Sequence, residues 1–229
     1  QGEPASHTVV GLTIGAFYGY KVAGIFQTQE EISASPNFGV EKPGDIKYAD
    51  TNGDGVLNGD DRVYLGSPIP TMTYSFTAGA EWNGFDLSAD VVGASGHKVY
   101  NAKETFRFAV YNWEQHIADR WTVENPSLTE PRISNGGPNY RVSDRFLQDG
   151  NFVRLRSVTF GYTLPKTLLE KANVTRLRVY ITGTNVWSHQ NYSGYSPEFP
   201  NGGNSYEVGF DFGAYPITKA WQGGIELNF

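Results

Sequence analysis

The chain has 229 residues, with 18 Lys and Arg against 24 Asp and Glu, a formal charge of -6. That balance argues against nucleic acid or an anionic membrane surface as a partner, and the absence of cysteine removes disulfides, thiol nucleophiles and cysteine-based zinc sites. No apolar run approaches the ~18 residues of a spanning helix, while 14% aromatic residues and 27 glycines suit strands with tight bends.

Alternation of apolar and polar residues predicts six strands. The first covers 8–22, with Val10, Leu12, Ile14, Ala16 and Tyr18 on one side. The second covers 71–82 and sets Met72, Tyr74, Phe76, Ala78, Ala80 and Trp82 on one face. Asn83-Gly84 then marks a two-residue type I′ turn. The third strand, 85–96, carries Phe85, Leu87, Ala89 and Val91 on its apolar face. A two-residue turn pairs Trp82 with Phe85, Ala80 with Leu87, Ala78 with Ala89 and Phe76 with Val91, every apolar residue meeting another. The same register opposes Glu81 and Asp86, an unfavourable like-charge pair that a hydrated rim would tolerate. In the fourth strand, 150–162, Val153 and Leu155 lie opposite Arg154 and Arg156, but Val158, Phe160 and Tyr162 fall on the arginine side. Either a bulge lies near Ser157 or the lower stretch packs against protein. The fifth strand, 174–187, separates Leu177, Val179 and Ile181 from Arg176, Arg178, Tyr180 and Thr182.

The sixth strand ends the chain. Trp221, Ile225, Leu227 and Phe229 form its apolar face, and Gln222, Glu226 and Asn228 its polar one. A wall with lipid on one side and a wet lumen on the other needs this period of two and an aromatic residue at the membrane edge. The connections alternate between long and short, as in outer-membrane barrels whose short turns face the periplasm. The fold class expected is therefore all-β, a transmembrane antiparallel β-barrel segment of about six strands with long extracellular loops at 23–70, 97–149 and 188–216. Six strands cannot close a spanning barrel, and open edges in lipid leave backbone groups unsatisfied. Gln1-Gly2-Glu3-Pro4 has neither a basic start nor an apolar run. The expectation is a piece of a longer polypeptide.

Several ordered blocks carry a resemblance. Gly15-Ala16-Phe17-Tyr18-Gly19-Tyr20 leads to Pro43-Gly44-Asp45-Ile46-Lys47-Tyr48 and Asp50-Thr51-Asn52-Gly53-Asp54-Gly55. Gly66-Ser67-Pro68-Ile69-Pro70, Asp149-Gly150-Asn151-Phe152-Val153-Arg154-Leu155, Phe160-Gly161-Tyr162-Thr163-Leu164-Pro165, Gly183-Thr184-Asn185-Val186 and Tyr192-Ser193-Gly194-Tyr195 follow. Together they resemble the carboxy-terminal part of SusC/RagA-like TonB-dependent outer-membrane transporters, over nearly the whole chain. Ala23 and Ser196 depart from the pattern, which often has Asp there. The resemblance implies a 22-stranded barrel plugged by an amino-terminal domain that 1–229 lacks, in the outer membrane of a Gram-negative bacterium. It implies active import powered through TonB beneath a SusD-like surface lipoprotein, with an oligosaccharide as the expected cargo and a peptide as the alternative. A terminal Phe229 on such a strand also resembles a barrel assembly signal, with Trp221, Ile225 and Leu227 on the same face.

Residues 50–61 fit a calcium-loop template: Asp50, Asn52 and Asp54 at positions 1, 3 and 5, Gly55 at the turn, Val56 offering its carbonyl, then Asn58 and Asp61. The short arm of Asp61 and the lack of flanking helices weigh against Ca2+; the plain alternative is a set of Asx-turns. The four histidines (His7, His97, His116, His189) have no motif partner and read as loop or rim residues. Ser95 misses a nucleophile-elbow spacing. A helix is expected within 101–121. Trp113, Tyr192 and Tyr195 are candidates for stacking on sugar rings, against the plainer roles of loop packing or lid contact. Arg154, Arg156, Arg176 and Arg178 form a basic stripe, read as salt bridges to the plug rather than a site for an anionic ligand. No pair of carboxylates or nucleophile–base set stands out, so the chain reads as a non-enzyme. The rival is a soluble calcium-stabilised all-β carbohydrate-binding or adhesion module.

Overall fold

A computed structural model describes residues 4–106, 113–169, 174–198 and 208–229. The described strands, in chain order, are β1 (Ser6–His7), β2 (Ala16–Gly19), β3 (Val22–Ile25), β4 (Ile46–Tyr48), β5 (Val63–Gly66), β6 (Met72–Trp82), β7 (Phe85–Ser95), β8 (Lys98–Tyr100), β9 (Leu147–Asp149), β10 (Phe152–Thr163), β11 (Arg176–Gln190) and β12 (Ala220–Asn228). Three short helices, α1 (Gln29–Ser33), α2 (Ala102–Phe106) and α3 (Lys166–Leu169), accompany them. The chain divides into two compact units.

One unit comprises Pro70–His97, Asp149–Phe199 and Ala214–Phe229. Its long strands form an antiparallel sheet in the order β12-β11-β10-β7-β6. The β6–β7 hairpin turns at Asn83 and Gly84, whose φ values of 49° and 84° are the two left-handed conformations of a type I′ turn. Trp82 meets Phe85, Ala80 meets Leu87, Ala78 meets Ala89 and Phe76 meets Val91, as hydrophobic patterning requires. Glu81 does oppose Asp86, but Arg178 of β11 relieves the repulsion. It donates to both oxygens of Asp86 at 2.5 and 2.9 Å, reaching across the intervening strand β10. The strand residue between them is Gly161, where a Cβ would lie 2.3 Å from Asp86 Oδ2 and 2.6 Å from Arg178 Nη2.

The phase slip in the fourth predicted strand is a bulge. Register shifts between Leu155 and Ser157 against both neighbours, leaving Arg156 as the extra residue facing β7. On the other side β11 accommodates it with Asn185, at φ 53°, and Val186. With that one residue looped out, Leu155, Val158, Phe160 and Tyr162 share a face with Leu87, Val91, Val179 and Ile181. This apolar face is open: Phe76 is 66% exposed, Trp82 74% and Ile225 66%. An aqueous surface seldom carries so wide an apolar patch, whereas a barrel wall presents one to lipid. The strands are of spanning length.

The wall has five strands among the described residues, and the first predicted strand is not one of them. Residues 8–15 turn instead, with Gly11 and Gly15 at φ 92° and 69°. Beyond the turn, Ala16–Gly19 pairs with β1 and β5, and Val22–Ile25 with β4. The alternation there reflects packing into loop structure: Phe17 and Tyr20 are fully buried.

The other unit comprises Gln1–Ile69, Lys98–Gln148 and Pro200–Gly213. It has little regular structure and two aromatic cores. Phe17, Tyr100 and Phe146 make one, with Phe210 packed against it; Tyr20, Ile46, Tyr48 and Leu57 make the other, with Phe38 edge-on to Tyr20 at 5.3 Å. A buried polar knot joins distant segments. Asp45 receives Asn139 Nδ2 at 2.8 Å and Arg132 Nη2 at 3.0 Å, while Asn139 Oδ1 accepts from Ile46 N–H at 2.8 Å. These bonds satisfy buried groups that would otherwise be left without water.

Candidate functional site

The acidic loop is a nest of side-chain-to-backbone hydrogen bonds. Asp50 accepts from Gly53 N–H at 2.6 Å and Gly55 N–H at 2.8 Å. Asn52 Oδ1 accepts from Asp54 N–H at 2.9 Å, and Asp54 Oδ1 from Val56 N–H at 2.8 Å. Asn58 Oδ1 accepts from Asp60 N–H at 2.7 Å. Asp61, fully buried, closes the loop: its oxygens accept from Thr51 N–H at 2.9 Å and Asn58 N–H at 2.8 Å. Donation from the Gly55 and Gly53 amides holds the Asp50 carboxyl below its ordinary range. Gly53 and Gly55, at φ 77° and 82°, permit the turns.

A second constellation lies in the same unit and was not legible beforehand. A cavity of about 150 Å³ is lined by Trp113, His116, Ile117, Tyr140, Phe146 and their neighbours. At its wall His116 Nε2 lies 3.6 Å from Glu104 Oε2 and 3.8 Å from Glu114 Oε2, and Nδ1 lies 3.2 Å from Glu130 Oε2. Arg145 holds Glu130 at 2.6 Å, and Asn101 Nδ2 donates to Glu104 Oε1 at 2.6 Å. Burial raises the Glu104 carboxyl above its ordinary value; Glu114 and Glu130 push the same way, against His116 and Arg145. Among the described residues this is the one group of three His or carboxylate ligands whose atoms lie within 4.8 Å of one another; Asp50, Asp54 and Asp61 do not converge so closely. Only Glu114-x-His116 was visible as a local pair. Glu104 and Glu130 arrive through tertiary structure, so His116, which has no motif partner in the sequence, faces three carboxylates. His97 is also no solvated rim residue: it is buried over Gly150, where a Cβ would stand 2.4 Å from its Nε2. Burial lowers its pKa.

The helix expected within 101–121 is α2 followed by a 3-10 turn at Gln115–Asp119; residues 107–112 between them lie outside the described residues. The three aromatic candidates separate. Trp113 is 42% exposed and lines the cavity. Tyr195 is 74% exposed, beside Arg154, Asn185, Gln190 and Glu198. Tyr192 is 3% exposed and lies against Gly194, where a Cβ would meet its ring at 2.3 Å, so its faces are packed. Three of the four arginines of the stripe find partners within this chain. Arg154 meets Glu198 and Arg156 meets Asp90, each at 2.5 Å, and Arg178 meets Asp86 at 2.5 Å and Glu226 at 3.3 Å. Salt bridging was the right chemistry, and carboxylates of this unit supply it. On β12, Trp221, Ile225 and Leu227 share one exposed face, with Phe229 beyond its end.

No protein-family model matches the chain. TonB-dependent receptor P26 of Formosa agariphila is 31% identical over 240 residues, covering all of this chain and 24% of the relative. TonB-dependent receptor SusC of Bacteroides thetaiotaomicron is 24% identical over 191 residues, covering 82% of this chain and 18% of SusC. In fold, the RagAB peptide transporter matches 98% of this chain and 24% of its own with a TM-score of 0.73 and 21% identity. The chain spans between 18% and 24% of the length of these proteins. These relatives are receptors and transporters, not enzymes. An open five-stranded meander with an apolar outer face, aligned end to end with such receptors, places the chain with the SusC/RagA-like TonB-dependent receptors, as part of their barrel and loops.

Proposed function

We propose that the complete protein is an outer-membrane importer of oligosaccharides, to which this chain contributes wall strands and three long extracellular connections, 23–70, 97–149 and 188–216. The observation that carries the reading is the five-stranded sheet with one face apolar and exposed and the other polar and cross-linked by ion pairs. A wall between lipid and an aqueous lumen needs that division, and the relatives that align with the whole chain are TonB-dependent receptors. TonB would supply energy through the amino-terminal part, and a SusD-like lipoprotein would close over the barrel. Trp113 and Tyr195 favour sugar as cargo, since an exposed aromatic face suits the apolar face of a pyranose. Peptide is the second reading, favoured by the fold shared with the RagAB peptide transporter. A soluble calcium-stabilised module leaves the exposed apolar face of the sheet without a role.

The test is direct binding by the purified complete complex. Calorimetric titration with size-fractionated oligosaccharides is expected to show saturable binding that weakens in Trp113→Ala or Tyr195→Ala. Saturable binding of peptides with no response to any glycan pool would replace the oligosaccharide reading with the peptide one.

For the acidic loop we propose structural calcium. Each carboxylate oxygen that accepts one N–H in the Asx-turns retains a further acceptor position for a cation.

A further inference from the structure

We propose that Glu104, Glu114 and His116 form a second metal site, for a divalent cation of the zinc class, at the wall of the cavity near Trp113. The imidazole states the case. Nδ1 lies 3.2 Å from Glu130 Oε2, and Arg145 fixes that carboxylate at 2.6 Å. Nδ1 is therefore engaged by Glu130, and Nε2 is the nitrogen left to bind a cation. Nε2 lies 3.6 Å from Glu104 Oε2 and 3.8 Å from Glu114 Oε2. The three atoms lie within 4.8 Å of one another, and the two contacts of Nε2 are too long for hydrogen bonds.

Their spacing suits a shared cation. Zinc bonds of ~2.0–2.1 Å to nitrogen and oxygen set tetrahedral ligands roughly 3.3–3.4 Å apart, and the two contacts of Nε2, at 3.6 and 3.8 Å, lie a few tenths of an ångström beyond that. The surroundings have the form of a metal centre's outer shell. Glu130 backs the imidazole through Nδ1 as a carboxylate does behind a zinc-bound histidine. Asn101, fully buried, donates to Glu104 Oε1 at 2.6 Å and leaves Oε2 turned to the imidazole. One nitrogen and two oxygens match the borderline character of zinc; the set lacks the thiolates of a soft-metal site and the six to eight oxygens calcium takes. The site is therefore separate from the loop at Asp50–Asp61. No ligand is shared between them.

The experiment uses the complete receptor in detergent, stripped with chelator, dialysed against zinc chloride alone and measured for metal content and zinc affinity. Wild type is expected to retain one more zinc per receptor than His116→Ala or Glu114→Gln. Glu130→Gln, which touches the imidazole and not the ion, is expected to weaken zinc about 10- to 100-fold. Glu114 is the most exposed of the set, so Glu114→Gln keeps the test independent of folding. Equal zinc in wild type, His116→Ala and Glu114→Gln would overturn the proposal and leave His116 as a protonated ion-pair partner.

Discussion

At Gly161 one missing methyl group decides whether an ion pair can form. Asp86 and Arg178 belong to strands that do not touch, and they meet above β10 only because the residue beneath them has no side chain. Gly161→Val is expected to break the pair, uncover the Glu81–Asp86 repulsion and lower stability by about 1–3 kcal/mol. Urea unfolding of the complete receptor in lipid checks this, and Gly79→Val, at a site where the nearest contact would be 3.7 Å, is the matched control. Asp61 is a second such point. Asp61→Ala leaves two amides without their acceptor, worth roughly 3 kcal/mol of local stability. Amide exchange across 50–61 should then accelerate about 100-fold. Calcium added to the wild type should slow exchange in the same segment, and chelation should restore it; exchange indifferent to both would remove the ion. Acid acts through Asp50. Its folded pKa is depressed, so its contribution is present above the unfolded value and is lost as pH falls through the lower folded one.

At the scale of elements, what was legible in the sequence follows from range. The β6–β7 hairpin was readable residue by residue because Asn83-Gly84 and strict alternation are local signals, and the register obeys them. The misphased strand was readable as either a bulge near Ser157 or a stretch packed against protein, and the choice needed the pairing with β7 and β11 that fixes its register. The first strand failed for the opposite reason. Its alternation is genuine, but Gly11 and Gly15 turn the chain, and burial of Phe17 and Tyr20 in separate aromatic cores overrides the pattern. The His116 constellation needed contacts between residues far apart in the chain, which composition does not encode. Deleting Arg156 and Ser157 together should remove the bulge and put Val158, Phe160 and Tyr162 on the face opposite to Leu155. Loss of heat-resistant, folded-barrel migration on cold gels is the expected result; unchanged migration would show the bulge to be dispensable.

At the scale of the whole molecule, the two faces of one sheet separate lipid from lumen. The wall strands alternate between apolar and polar sides across all five members, and the polar side is tied by Arg156–Asp90 and Arg178–Asp86–Glu226. Such pairs contribute little in open water, but several in a row hold neighbouring strands in register. Among the described residues the sheet's edges, β6 and β12, carry unpaired backbone groups that lipid cannot satisfy, so further strands of a complete barrel must pair with them. The measurement that tests this most directly is spin-label accessibility in the complete receptor reconstituted in bilayers. Labels at Phe76, Leu87, Phe160, Ile181 and Ile225 are expected to be relaxed by oxygen, which concentrates in lipid. Labels at Ser75, Ser88, Thr159, Thr182 and Gln222 are expected to be relaxed by a water-soluble nickel chelate. Equal access of the nickel chelate to both sets would contradict the barrel wall.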